Sequence, residues 1–175
     1  MYFLSEESVR EHKAYLASLK LKYSILEKSI PRLKGVTLEE IYGLHLSRSE
    51  RREAVELYCE IRLHEVFFSS FSEHVGVPSR FIQEEYGSCA SFIHEMQRAS
   101  RRLSFGFACY CILGREGRIV ASRNYEEIFE AGTPVLALDV FEHAYFRDFG
   151  FDKGRYIASS LSHLDLSLVD KCIFG

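Results

Sequence analysis

The hydrophobic periodicity changes once along the chain, and this change constrains the fold more than any other feature. Over two long stretches of the first half, apolar residues recur every three to four positions, as on one face of an α-helix. After about residue 103 they form short runs rich in aromatic and β-branched residues, which is typical of strands. Helices followed by neighbouring strands predict an α+β fold in which a helical segment precedes a small antiparallel sheet.

The first half is predicted to form a long α-hairpin. Its two helices are expected to run from Ser5 to about Ser29 and from about Ser49 to Glu73, with Ser5 as an N-cap. Helix-breaking residues at positions 76 and 78 then predict a boundary. We therefore expect an N-terminal helical hairpin domain at 1–77 and a C-terminal α+β domain at 78–175.

The C-terminal domain is predicted to contain a three-stranded antiparallel sheet with helices on either side along the chain. The expected strands lie at residues 105–113, 118–122 and 134–141. Two short helices are predicted before the sheet, at about 79–84 and 88–103, and others after Glu142. A hairpin turn at 114–117 joins the first two strands, which makes their pairing antiparallel.

Composition excludes several classes of function. The 22 basic and 25 acidic residues give a net charge of −3, so the chain offers no basic surface for nucleic acid. No apolar run approaches the roughly 20 residues of a membrane-spanning helix. The five cysteines form no metal-type CxxC pair, and an odd number disfavours a complete set of disulfides. A reducing, cytoplasmic location is therefore expected.

Two histidines lie on the apolar stripes of the predicted hairpin. His12 falls between Val9 and Leu16, and His64 falls between Ile61 and Phe68. Each could be an ordinary hydrogen-bonded core histidine. Two antiparallel helices packed along these stripes would nevertheless place both imidazoles in one buried space.

A carboxylate and a third histidine follow the last predicted strand. Asp139 comes directly after an apolar run, and His143 is four residues further on, a spacing that suits two ligands of one metal ion. The alternative is that Asp139 only caps the following helix. With His12 and His64, these residues would supply three imidazoles and one carboxylate, a set that suits iron, manganese or zinc.

The segment Asp139-Val-Phe-Glu-His-Ala-Tyr145 resembles the DxWEHAYY signature of the iron/manganese superoxide dismutases, with Phe141 in the place of Trp. Other segments resemble the family as well. Leu4-Ser-Glu-Glu-Ser-Val-Arg-Glu-His12 is similar to the stretch that leads to the first ligand histidine, and His64-Glu-Val-Phe-Phe68 is similar to the HTFYW stretch. The resemblance covers nearly the whole chain and indicates a divergent, shortened member of the family.

The resemblance implies a set of metal ligands and a reaction. The ligands would be His12, His64, Asp139 and His143, and the ion would be iron, with manganese as the second choice. Another register would place Glu7 at the metal, but the His12 register also aligns the segment at Gly35 without a gap. The implied reaction converts superoxide to dioxygen and hydrogen peroxide in a homodimer, with Glu142 bonded to His143 of the partner subunit.

The surroundings of the implied metal depart from the family. A tyrosine and a glutamine that are hydrogen-bonded to each other in the family correspond here to Lys20 and Glu60, and the chain contains no Trp. We expect Lys20 and Glu60 to act in catalysis and to form an ion pair, unless both reach solvent. A metal-binding homologue without dismutase activity is the alternative function. A zinc hydrolase with Glu60 as its base is a weaker third.

Overall fold

A computed structural model describes residues 3–73 and 76–175 of the chain. The α-hairpin is formed by α1 (Glu6–Ser29) and α3 (Arg48–Ser69), with a 3-10 turn (Pro31–Leu33) and α2 (Leu38–Gly43) between them. Ser5 caps α1 by accepting a hydrogen bond from the Ser8 N–H, as expected. The cap of α3 is Ser47, whose hydroxyl accepts from the Glu50 N–H, so this helix starts slightly earlier than predicted.

The hairpin's second helix also ends earlier than the sequence indicates. Ser70 lies just beyond α3, is fully buried, and donates its hydroxyl to the carbonyl of Val66. The same hydroxyl accepts a hydrogen bond of 2.9 Å from the Ala137 N–H of the last strand. After this contact, Phe71 forms an isolated antiparallel bridge with Leu164. The residues after Ser69, which were predicted to continue the helix to Glu73, are therefore not helical.

The predicted three-stranded antiparallel sheet is confirmed. Its strands are β1 (Phe107–Leu113), β2 (Glu116–Ser122) and β3 (Thr133–Asp139), in the spatial order β2-β1-β3. The remaining helices are α4 (Arg80–Tyr86), α5 (Cys89–Arg102), α6 (Tyr125–Glu130), α7 (Glu142–Phe149), α8 (Lys153–Leu161) and α9 (Ser167–Phe174). The sequence missed α6, whose cap Asn124 accepts from the Glu126 N–H.

The third strand ends two residues before the predicted limit, and this ending positions Asp139. The Val140 N–H donates to the carbonyl of Gly106 rather than to a ladder partner, and the Phe141 N–H donates to the Asp139 carboxylate. Phe141 is the N-cap of α7, so Asp139 is the last residue of β3 and His143 lies in the first turn of the following helix.

The hairpin packs on the sheet through its second helix. One apolar cluster joins Leu63 and Phe67 of α3 to Phe107 of β1 and Leu138 of β3, so it crosses the predicted boundary between residues 77 and 78. A second cluster fills the far end of the hairpin around Leu33. The core therefore spans both segments, and the division into two domains stays a prediction.

Within the described residues, no helix combines the length and the apolar character needed to cross a bilayer. All five cysteines are free thiols, and Cys109 and Cys111 are fully buried in β1. The expected cytoplasmic location stays a prediction.

The β1–β2 hairpin depends on a glycine that lies against a buried tyrosine. The hydroxyl of Tyr110 passes over Gly117 and donates to Glu85, which also accepts from the Gly117 N–H at 3.2 Å. A Cβ at Gly117 would overlap the Tyr110 hydroxyl and ring. Because Tyr110 is completely buried, the ring has no free space into which it can move.

We predict that Gly117→Ala lowers the free energy of unfolding by about 1–3 kcal/mol, the usual cost of overfilling a packed site. Gly43→Ala is the matched control, since a Cβ there meets no atom within 4 Å. Urea unfolding of the two variants measures the difference. Equal stabilities would show that Tyr110 does not restrict this position.

Candidate metal centre

Four elements of the fold each contribute one side chain to a compact cluster. His12 comes from α1, His64 from α3, Asp139 from the end of β3 and His143 from the start of α7. One candidate ligand atom from each residue lies within 4.8 Å of all the others. The structure thus brings together all four residues that the sequence indicated.

The carboxylate of Asp139 is the centre of the cluster. Its Oδ2 lies 3.1 Å from Nε2 of His12, 3.4 Å from Nε2 of His64 and 3.0 Å from Nε2 of His143. The side chains of His12, His64 and Asp139 are completely buried, whereas that of His143 is 32% exposed. The cluster is therefore closed on three sides and reaches solvent beside His143.

Backbone groups orient two of these side chains. Nδ1 of His64 lies 2.8 Å from the carbonyl oxygen of Glu60, one helical turn earlier. A proton donated there leaves Nε2 with a free lone pair that faces the cluster. Oδ1 of Asp139 accepts from the Phe141 N–H at 2.8 Å, so that Oδ2 is left to face the imidazoles.

The residues present fit a bound metal ion. Among the described residues, Nδ1 of His12 is buried without a hydrogen-bond partner, and its Nε2 has only the contact of 3.1 Å with Oδ2 of Asp139. An unsatisfied buried group of this kind costs about 1–3 kcal/mol. An ion at the centre of the cluster would satisfy Nε2 of His12. Three imidazole nitrogens and one carboxylate oxygen are a donor set suited to iron, manganese and zinc.

Electrostatics favour the protonation states that bind metal at Asp139 and His64, whereas at His143 burial is outweighed by the hydrogen bond and charge of Asp139, which raise the pKa. Burial acts to raise the pKa of Asp139, but its hydrogen bonds to His12 and His143 outweigh burial and hold the pKa well below its usual range. Burial lowers the pKa of His64. A charged carboxylate and a neutral imidazole are the forms that coordinate a metal.

A tyrosine that the sequence analysis did not select lies beside the cluster. The hydroxyl of Tyr15 donates to Oε1 of Glu60 at 2.7 Å, and its ring centroid lies 4.6 Å from that of His143 and 5.4 Å from that of His64. Burial and the hydrogen bond to Glu60 both raise the pKa of Tyr15, which keeps the phenol protonated. Burial raises the pKa of Glu60, against the effect of the Tyr15 hydrogen bond.

The predicted ion pair between Lys20 and Glu60 is wrong. Nζ of Lys20 lies 2.7 Å from Oε1 of Glu65, and the lysine side chain is 51% exposed. Five residues separate Tyr15 from Lys20 and Glu60 from Glu65, which is a rotation of about 140° around each helix. Lys20 and Glu65 therefore lie on one side of the hairpin, and Tyr15 and Glu60 lie on the other.

Phenylalanines form much of the wall around the cluster. Phe141 stacks on His143 at 5.5 Å between ring centroids, Phe107 meets His64 edge-on at 5.2 Å, and Phe68 lies 5.0 Å from His12. Phe68 was not predicted to lie at the site, although it follows His64 by one helical turn. These three rings give the cluster an apolar wall.

A cavity of about 500 Å³ connects solvent to the exposed edge of the cluster. We call it the funnel, and its lining is Glu11, His12, Tyr15, Glu142, His143, Phe146 and Arg147. Arg147 is held at its mouth by Glu7 and Glu11 of α1. The funnel is therefore the side on which the cluster meets solvent, at His143.

Comparison with known proteins identifies the family. The family model described as iron/manganese superoxide dismutases, C-terminal domain, matches residues 76–172, more than half of the chain. The chain belongs to the iron/manganese superoxide dismutase family. Asp139 and His143 lie inside the matched segment, whereas His12 and His64 precede it.

Two curated relatives extend the similarity into the helical hairpin. An iron superoxide dismutase of Cupriavidus metallidurans is 27% identical over 121 residues, which cover 65% of this chain and 61% of the relative. The chloroplastic iron superoxide dismutase 3 of Arabidopsis thaliana is 24% identical over 164 residues, covering 89% of this chain and 61% of the relative. The chain thus spans about three fifths of the length of each.

We predict that Tyr15 and Glu60 are energetically coupled and that Lys20 and Glu60 are not. In the metal-free protein, Tyr15→Phe combined with Glu60→Met should deviate from additivity by about 1 kcal/mol or more, because each substitution removes one side of the hydrogen bond that the two side chains share. Lys20→Met combined with Glu60→Met is the control and should be additive to within about 0.5 kcal/mol. Urea unfolding of the single and double variants tests both. Coupling in the Lys20 cycle alone would contradict the observed pairing.

Proposed function

We propose that this chain is a superoxide dismutase that uses one iron ion, in preference to manganese, held by His12, His64, Asp139 and His143. The observation that carries the proposal is the convergence of three Nε2 atoms on Oδ2 of the buried Asp139. Iron is favoured because both relatives are named as iron enzymes and because Glu60 stands where the resemblance places an iron-type glutamine.

The proposed reaction consumes two superoxide ions and two protons and yields dioxygen and hydrogen peroxide. A bound iron or manganese ion would supply the one-electron exchange that this reaction requires. The chain itself must admit a small anion and deliver protons. The funnel provides the opening, since it reaches the exposed edge of His143.

Glu60 and Tyr15 are the residues that we assign to proton delivery. The Tyr15 hydroxyl donates a hydrogen bond of 2.7 Å to Oε1 of Glu60, and the Tyr15 ring packs against His143. A carboxylate that is partly buried and bonded to a phenol can accept and release a proton next to the site. Lys20, which we expected to act in catalysis, has no part in this proposal because it pairs with Glu65.

A metal-binding homologue without dismutase activity is the second candidate. Two carboxylates, Glu11 and Glu142, line the funnel, and its one arginine is paired with acidic residues of α1. This arrangement disfavours the approach of an anion. Metal binding and turnover must therefore be measured separately.

We predict about one iron ion per chain in the purified protein and measurable consumption of superoxide. Asp139→Ala should reduce the affinity for metal at least about tenfold, since loss of even an outer partner of a ligand costs roughly 10–100-fold. His94→Ala is the matched control, because His94 is exposed on α5 and is not part of the cluster. Elemental analysis and a superoxide-consumption assay on the same samples give the result.

Each outcome of this experiment discriminates between the candidates. Iron or manganese bound without turnover would support the second candidate. Metal content that is equal in wild type and Asp139→Ala would reject the metal centre and both functions. Zinc as the bound ion, without superoxide consumption, would reject the dismutase and favour the hydrolase that the sequence left open.

We also propose that the protein forms a homodimer around the mouth of the funnel, with Glu142 bonded to His143 of the partner subunit. Phe151 is 94% exposed and Phe146 is 47% exposed, and their rings meet edge-on at 5.2 Å. Phe146 lies one helical turn after Glu142 on α7. Such an exposed aromatic pair beside the functional opening is typical of an interface.

We predict a particle of twice the chain mass by light scattering at micromolar concentration. Phe151→Glu should shift it to the monomer, because burying a phenylalanine contributes about 1.5–3 kcal/mol. Phe174→Glu, at a residue that is 55% exposed on α9, is the control and should leave the dimer intact. A wild-type monomer would contradict the proposed interface.

A further inference from the structure

Tyr15 forms the wall between two cavities. On one side lies the funnel, which Tyr15 lines together with His12 and His143. On the other side lies a larger cavity of about 910 Å³ between α1 and α3, which we call the cleft and which Tyr15 lines together with Glu60, Leu19 and Leu57. The ring of Tyr15 contacts the histidines, and its hydroxyl is bonded to Glu60 in the cleft.

Two of the three cations that line the cleft have no partner. Among the described residues, no hydrogen bond or ion pair is formed by the side chains of Lys22 and Arg48, whereas Arg52 pairs with Glu56 at 4.0 Å. The three carboxylates of the cleft balance its three cations, and the innermost, Glu60, is bonded to Tyr15.

The charged residues of the funnel differ from those of the cleft. Its only cation among the lining residues, Arg147, is paired with Glu7 and Glu11, and Glu142 adds a further negative charge. A small anion that approaches the cluster therefore meets net negative charge at the funnel, whereas the cleft has a neutral lining that includes two unpaired cations, Lys22 and Arg48. A local potential of this kind alters the rate of association.

We propose that the cleft is a second entrance to the metal centre for small anions, and that Tyr15 is the partition that limits passage through it. This inference rests on the proposed function in that it assumes an ion in the cluster. Lys22 and Arg48 attract the anion, and Leu19 and Leu57 form an apolar passage towards Tyr15. The hydrogen bond to Glu60 holds the ring across the inner end of the passage.

The first test uses azide, a small anion that binds ferric iron with a change in absorption. In the iron-loaded protein at low salt, Lys22→Glu with Arg48→Glu should slow azide association on the order of tenfold, and added salt should reduce the difference. Arg101→Glu with Arg102→Glu, an equal change of charge on exposed residues of α5, is the control and should leave the rate within about twofold of wild type. Tyr15→Ala, which removes the partition, should increase the rate.

A variant that narrows the funnel, Phe146→Trp, tests the alternative that anions enter through the funnel alone. If Phe146→Trp slows azide association while the Lys22 and Arg48 charge reversal has no effect, the funnel alone admits anions and the inference is overturned. Failure of the iron-incubated protein to show any azide-dependent band would count against the proposed function.

A second test does not require metal. Because the chain contains no Trp, Leu57→Trp places a single indole in the cleft. Iodide should quench its fluorescence, and the Lys22 and Arg48 charge reversal should weaken quenching by iodide but not by neutral acrylamide. Iodide quenching that is insensitive to this reversal would overturn the cleft as an anion entrance, whether or not the protein binds iron.

Discussion

The buried carboxylate of Asp139 is the constraint on which the rest of the structure depends. A lone carboxylate in an apolar core is strongly disfavoured, so each of its oxygens must have partners. Oδ1 is bonded to the Phe141 N–H, and Oδ2 is surrounded by His12, His64 and His143. These imidazoles come from three helices, so the position of Asp139 fixes how the hairpin and α7 meet the sheet. The hydroxyl of Tyr156 adds a bond of 2.7 Å to the Asp139 carbonyl and fixes α8 as well.

The positions of His12, His64 and Asp139 could be predicted from the sequence because each lies within, or at the end of, a segment with a regular apolar pattern. The apolar stripes of α1 and α3 have helical periodicity and include His12 and His64, and Asp139 ends an apolar strand. The early end of α3 was not predictable in this way. It results from the bond between Ser70 and the Ala137 N–H, residues 67 positions apart, and local patterns contain no information on such a contact.

The side chains around the cluster were predicted less well than the cluster itself. Alignment with the family placed Lys20 beside Glu60, whereas the structure places Tyr15 there. Helix geometry alone contained the correct signal, since Tyr15 follows His12 by three residues and Glu60 precedes His64 by four, so that both lie one turn away on the shared face. The family's tyrosine-to-amide contact is thus replaced by a tyrosine-to-carboxylate contact that uses a different position of α1. Phe141, which stacks on His143, stands where the resemblance places a tryptophan.

The central claim is that His12, His64, Asp139 and His143 hold one redox-active metal ion. Anomalous X-ray diffraction from crystals of the iron-loaded protein, collected on both sides of the iron absorption edge, tests it most directly. The account predicts a single strong anomalous peak at the centre of the cluster, within about 2.0–2.2 Å of three Nε2 atoms and one carboxylate oxygen, as is usual for such ligands. A cluster without a peak, or iron bound elsewhere on the chain, would contradict it.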